Sequence, residues 1–267
     1  MVKFIKSHLH ISCVFSRLVY LEKDILEKKI LESKTFIKKE AVNSINYFYY
    51  EILTKSEIVG FFTNDLDFQC YLIKYENTVF VVFRGSDSIK DWIINFLCFY
   101  SKVESFNSKK RCLHVHKGFY KQIEYENTRY KIETKCIEFC QEFNKITNKL
   151  PDRIVFCGHS LGGSQATIAS YTMNKRLSPY FKFPAKVYTF GAPKCVLSKE
   201  FNRFTNYSHI SVHNYVFKKD PIPYMPIVLF QKVGTTHTID IEDDNIKWWK
   251  CDFHKIETYA NFFLAKL

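Results

Sequence analysis

The sequence predicts an α/β fold, a mostly parallel central sheet flanked by helices. Three observations predict it. Thr78–Phe83 (T-V-F-V-V-F), Ile154–Phe156 (I-V-F) and Lys186–Phe190 (K-V-Y-T-F) are short apolar runs rich in β-branched and aromatic residues, as strands buried on both faces require. Segments of helical periodicity lie between them, so the strands are joined by crossovers and run parallel. The runs also end in glycine-bearing turns at Gly85, Gly158 and Gly191. In such sheets chemistry gathers at the carboxyl ends of the strands.

Taken in order, residues from about Leu9 to Tyr50 read as helices, with Ile25, Ile30, Leu31 and Ile37 near helical spacing among Lys and Glu. Asp65–Tyr75 and Thr78–Phe83 read as two strands around a tight turn at Glu76-Asn77. Arg84-Gly85-Ser86 follows; glycine permits close backbone approach and the hydroxyl supplies a donor, as an oxyanion-binding loop needs, though a simple turn explains the residues equally well. In Ser88–Tyr100, Ile89, Trp92, Ile93, Phe96, Leu97 and Tyr100 recur at helical spacing, with Ser88 as N-cap. That pattern suits a core helix or an amphipathic lid over an apolar pocket. Ser101–Leu113 reads as a polar, basic loop, and a long helical stretch runs from about Phe119 to Lys149, closed by Pro151. Gln165–Arg176 is helical, His209–Phe217 alternates like a strand, and a helix ends the sequence. With 267 residues and no repeat or linker, residues 1–267 are expected to form one domain, residues 1–60 being a helical N-terminal extension packed on it.

Composition narrows the function classes. Apolar residues make up 46% and aromatics 17%, which excludes general disorder. The net charge of +12 is spread along the chain, with short clusters at Lys109–Arg111 and Lys218–Lys219, and no nucleic-acid-binding signature accompanies it. It reads as a solvated surface, or as attraction to anionic headgroups at roughly 1 kcal/mol per well-placed cation. Nine cysteines cannot all pair and none forms C-x-x-C; they read as small buried hydrophobes of a reducing compartment, with no zinc site. Leu9–Tyr20 is interrupted by His10, Ser12, Ser16 and Arg17, which makes a poor signal peptide, and no run reaches the ~20 apolar residues of a membrane span. A soluble, intracellular protein is expected, peripheral at lipid surfaces if at any membrane.

The chemistry points to Gly158-His159-Ser160-Leu161-Gly162, a G-x-S-x-G between a strand and a helix. A strand that turns sharply into a helix strains its central residue, and glycines two before and two after leave room for the turn. The Ser160 hydroxyl is thereby held out above the sheet, and the N–H groups of the following helix aim at the same point. A serine hydroxyl needs an imidazole base, and the imidazole needs a carboxylate. On sheets of the α/β-hydrolase kind the order is Ser, acid, His. Asp220, just beyond the strand ending Val216-Phe217 and stiffened by Pro221 and Pro223, is the best-placed acid; Asp240, Asp243 and Asp244 sit in an acidic turn. Of nine histidines, His159 is too close to the serine to reach round to it, and six others precede it or lie in a strand, which leaves His237 and His254 as candidate bases.

Six segments in succession then resemble the class 3 lipases: Phe83-Arg84-Gly85-Ser86, Asp91-Trp92, Val115-His116-Lys117-Gly118-Phe119, Gly158–Gly163, Thr189-Phe190-Gly191-Ala192-Pro193 and Asp220-Pro221-Ile222-Pro223. They extend over roughly Asp65 to Tyr259. The resemblance implies an α/β-hydrolase fold and a triad of Ser160, Asp220 and His254, the last matched because Tyr259 follows it. It assigns Ser86 and the backbone N–H of Leu161 to the oxyanion hole, makes Ser88–Phe96 a lid, and gives His116 a structural role. It further implies an ester hydrolase acting on acylglycerols at a membrane or droplet surface, without cofactor or metal. A phospholipid acyl hydrolase, or a catalytically silent binding protein, is the alternative. Proline directly after Asp220 departs from the family pattern.

Overall fold

The computed structural model describes residues 7–35, 45–86, 100–104, 112–198, 210–227, 229–241 and 252–265. Three helices come first, α1 (His8–Leu18), α2 (Lys23–Thr35) and α3 (Ile45–Thr54). Strands β1 (Ser56–Asn64), β2 (Phe68–Tyr75) and β3 (Thr78–Phe83) follow. After β4 (Tyr100–Glu104) and β5 (Cys112–His116) come helices α4 (Lys117–Glu124) and α5 (Thr128–Thr147). Strand β6 (Arg153–His159) leads into α6 (Leu161–Leu177). The rest comprises β7 (Ala185–Phe190), β8 (Val196–Leu197), β9 (Ile210–Phe217), β10 (Phe230–Gln231), β11 (Thr235–Ile239) and α7 (Ile256–Leu264).

Seven strands form one sheet in the order β1-β2-β3-β6-β7-β9-β11. The first two pairings are antiparallel and the other four parallel. Register matters more than order for the site. Phe83 pairs with Gly158, His159 with Phe190, and Phe190 with Tyr215. The carboxyl ends of β3, β6, β7 and β9 therefore finish side by side, and the residues that follow them are brought to one edge.

Alternation in the buried strands feeds two apolar layers. Val79, Val81, Phe83, Ile154 and Phe156 pack on one face with Ile123 of α4, Ile132 of α5 and Ile168 of α6. Phe80, Val82, Val155 and Cys157 pack on the other with Val14 and Phe15 of α1 and Tyr259 and Phe263 of α7. Helix α1 presents Ile11, Val14, Phe15 and Leu18 at i, i+3, i+4 and i+7, and Ser12, Cys13 and Ser16 are buried beside them, so the helix is covered on most of its sides. Phe15 meets Phe80 edge to face at 5.1 Å between centroids.

The structure departs from the sequence reading in four places. Helix gives way to strand at Ser56, so β1 belongs to the sheet, not to a helical extension reaching residue 60. The long helix is two, because Glu126 (φ 51°) and Asn127 (φ 59°) adopt left-handed backbone between α4 and α5. The basic segment from Ser101 to Leu113 contributes β4 and β5 to a second, antiparallel sheet of order β10-β8-β5-β4, joined across distant segments. Asp65–Asp67 belongs to the turn before β2. Residues 87–99, which include Ser88, Ile89, Trp92, Ile93 and Phe96, lie outside the described residues.

Among the described residues six cysteines are free and buried, none of the helices is long and apolar enough to cross a membrane, and no group of three or more potential metal ligands occurs. Because α1 is built into the core, Phe15→Ala is expected to destabilise the whole protein by about 3–5 kcal/mol, the range for truncating a buried phenylalanine. Urea unfolding followed by tryptophan fluorescence should show one shifted transition. An unshifted main transition would mean that α1 is only loosely attached.

Candidate active site

The turn between β6 and α6 is built by close backbone contact. A Cβ on Gly158 would lie 2.4 Å from the carbonyl carbon of Gly162, and one on Gly162 would lie 2.2 Å from the Phe83 carbonyl oxygen. Only glycine fits at either position. Between them Ser160 adopts φ 54°, ψ −127°, a conformation that side chains other than hydrogen rarely accept. Its N–H donates to the Phe190 carbonyl at 2.9 Å, and its own carbonyl accepts from Gly163 N–H at 3.0 Å. Leu161 opens α6, so its N–H is among the first of the helix, which have no acceptor within the helix itself.

His254 ends a short 3-10 turn (Asp252–His254) ahead of α7. Its Nδ1 lies 2.8 Å from Asp220 Oδ2 and its Nε2 lies 2.8 Å from Ser160 Oγ. The carboxylate can only accept, so Nδ1 carries the hydrogen and Nε2 is left to accept from the serine hydroxyl. Asp220 and His254 are both fully buried. Asp220 follows β9 and is held by its own N–H donating to the Phe217 carbonyl at 3.0 Å. Its Oδ1 accepts from Ile222 N–H at 3.0 Å, and its Oδ2 also accepts from the Tyr259 hydroxyl at 3.0 Å.

Tyr259, which in the sequence only marks the late histidine, contributes to the site. Its hydroxyl donates to Asp220 and accepts from Phe217 N–H at 3.2 Å. Burial, then the neighbouring Asp220 charge, push its pKa well up, so it stays a donor. Gly191 makes room for this group. At φ +62°, a Cβ there would sit 3.1 Å from Asp220 Oδ2, His254 Nδ1 and Tyr259 Oη alike.

The other candidates are elsewhere. His237 lies in β11, stacked on Tyr215 at 4.6 Å, with Nε2 3.3 Å from His213 Nδ1. His116 ends β5 with its ring stacked on Phe119 at 4.2 Å, and its backbone N–H donates to the Cys195 carbonyl at 2.9 Å. The Arg84–Ser86 loop passes directly against the serine turn, since a Cβ on Gly85 would lie 2.7 Å from the His159 carbonyl oxygen and 3.4 Å from Ser160 Cβ. Ser86 is half-buried there.

Two buried imidazoles give a pH signature. Burial pushes the His116 pKa down to about 4, and burial together with the adjacent His254 pushes His159 well down. In the unfolded chain both return to about 6.5. Below 6.5 the unfolded chain binds protons that the folded one does not, so the stability they contribute is full above about pH 6.5 and is lost as pH falls, for His116 through about 4. Urea midpoints measured from pH 7.5 to 4.5 should fall. Replacing His116 by Gln should flatten part of that slope, and an equally steep slope in the variant would contradict the assignment.

Known proteins similar to this chain show its family and its fold. The family model described as lipase (class 3) matches residues 80–230. The lipase of Rhizopus niveus is 28% identical over 176 residues, covering 64% of this chain and 41% of that protein. The secreted mono- and diacylglycerol lipase 1 of Fusarium solani is 28% identical over 164 residues, covering 60% and 42%. The chain thus spans about two fifths of the length of these curated relatives. A solved triacylglycerol lipase, described as having a serine protease triad at its catalytic centre, superposes with a TM-score of 0.63 at 19% identity, covering 89% of this chain and 80% of that one. This likeness shows the α/β-hydrolase fold. With its family model matched over more than half its length, the chain belongs to the class 3 lipase family.

Proposed function

We propose that the chain is a serine ester hydrolase that cleaves acyl chains from acylglycerols, with Ser160 as nucleophile, His254 as base and Asp220 as the acid that orients it. The observation that carries this reading is the unbroken line from Ser160 Oγ through the His254 ring to Asp220, 2.8 Å at each step. His254 Nε2 takes the hydroxyl proton as Ser160 Oγ attacks the ester carbonyl. The buried carboxylate stabilises the imidazolium that forms, and the imidazolium then protonates the departing alkoxide. A water activated by the same nitrogen hydrolyses the acyl-enzyme. Charge on the tetrahedral oxygen is met by the N–H of Leu161 and by Ser86, whose loop abuts the turn.

Ser88, Ile89, Trp92, Ile93 and Phe96 form the lid we propose over the acyl site, an inference from their apolar helical spacing. The substrate is met at a membrane or droplet surface. The described cysteines, free and buried, support a reducing, intracellular setting, whereas the Fusarium relative is by its name secreted. The net charge of +12 favours anionic phospholipid as a second substrate class, and a substrate panel decides between the two.

Purified protein and its Ser160→Ala variant, assayed on a short soluble ester, a triacylglycerol emulsion and anionic phospholipid vesicles, test the proposal. Hydrolysis should occur with a preference for acylglycerol and vanish in the variant. Hydrolysis that survives Ser160→Ala would overturn it, and a preference for vesicles would transfer it to phospholipids. Ser86→Ala should lower kcat by roughly 10²–10³ with little change in KM, as loss of one oxyanion donor does. An unchanged kcat would remove Ser86 from the mechanism.

A further inference from the structure

The segment before β1 carries none of the family motifs, yet it reaches the serine turn. Tyr20 lies just past the end of α1, and its hydroxyl is 2.8 Å from His159 Nδ1. On the far side of that ring, His159 Nε2 is 2.5 Å from the backbone carbonyl of His254. A carbonyl only accepts, so His159 Nε2 carries the hydrogen, Nδ1 is an acceptor, and the Tyr20 hydroxyl donates to it. The ring is buried and its pKa is held well down, so the neutral form and this single tautomer persist. The bonds form one directed chain, Tyr20 O–H to His159 Nδ1, then His159 Nε2–H to the His254 carbonyl.

Tyr20 also meets the other half of the site. A Cβ on Gly85 would lie 2.3 Å from the Tyr20 hydroxyl oxygen, which therefore rests on the backbone of the Arg84–Ser86 loop. The Arg84 guanidinium stands 5.7 Å from the centre of the Tyr20 ring, while Arg84 is tied to Gln69 of β2 by its N–H at 3.0 Å and its guanidinium at 2.8 Å. One hydroxyl thus touches the loop on one side of Ser160 and, through His159, the histidine on the other.

We propose that Tyr20 is a positioning residue of the active site, which fixes the backbone of His254 through the His159 ring and seats the oxyanion loop at Gly85. The proposal rests on the reading of Ser160 as a nucleophile. Catalytic geometry tolerates little error, and a displacement near 1 Å costs as much as 10²-fold in rate. Loss of the hydroxyl should loosen the ends of two loops without removing any group that binds substrate.

The test compares wild type, Tyr20→Phe, His159→Gln and the double variant on a short soluble ester. Active sites are counted by a fluorophosphonate that reacts with the nucleophilic serine, and the adduct is mapped to Ser160. Per titrated site, Tyr20→Phe should lower kcat on the order of tenfold and leave KM within about twofold. If Tyr20 acts on His254 through His159, the double variant should lose clearly less than the product of the two single losses, the remainder being the direct contact at Gly85. A purely structural tyrosine would reduce the titrated fraction or the Tm and leave kcat per site at the wild-type value. That result, or losses that multiply in the double variant, would overturn the proposal. A wild type that the phosphonate does not label would overturn the hydrolase reading and this inference with it.

Discussion

Ser160 is held at φ 54°, ψ −127°, and the carboxyl edge of the sheet is arranged to keep it there. A side chain in such a region costs about 1–3 kcal/mol and persists only where its surroundings over-determine it. Here they do so by close approach. Gly158 and Gly162 bring β6, α6 and the end of β3 within distances no side chain would allow, and the Ser160 N–H bonds to the end of β7. The parallel register of β3, β6, β7 and β9 is the larger condition, because it aligns the strand ends that supply those contacts. Core packing on both faces of the sheet thus maintains a local strain that exposes one hydroxyl to a base.

The second constraint is electrostatic. Burying Asp220 completely is costly unless its oxygens are satisfied, and three donors converge on them: the His254 ring, the Tyr259 hydroxyl and Ile222 N–H. The first uses the carboxylate to set the imidazole tautomer. The other two hold the carboxylate itself. Gly191 lets all three groups meet by having no side chain where they crowd. Removing any one of these parts would leave a buried polar group without its partner, which explains why such different segments, from β9 to α7, converge on so small a volume.

How much of this is legible in the sequence depends on how local the cause is. The serine turn is readable because strand, glycines and helix lie within a dozen residues, and the central strands are readable because both their faces are apolar. Strand β1 is harder: it is half-exposed, carries Gly60 and has a register shift between Ile58 and Gly60. The second sheet joins the neighbouring β4 and β5 to the two-residue strands β8 and β10 from far along the chain, strands too short to leave a local signature. His237 and His254 are equivalent by residue type and order. Only folding sends one into β11 against Tyr215 and the other to Ser160. Tyr20 and Tyr259 look like ordinary core aromatics in sequence, since their roles reside in where one hydroxyl ends up.

The central claim is that acyl transfer passes through Ser160 under the control of His254. Its most direct measurement is rapid-quench mass spectrometry with a short ester, with peptide mapping of the trapped protein. The account predicts an acyl group on the peptide that contains Ser160, formed within a turnover by the wild type and absent from His254→Ala. Hydrolysis without acylation of Ser160, or acylation as fast in His254→Ala, would contradict it.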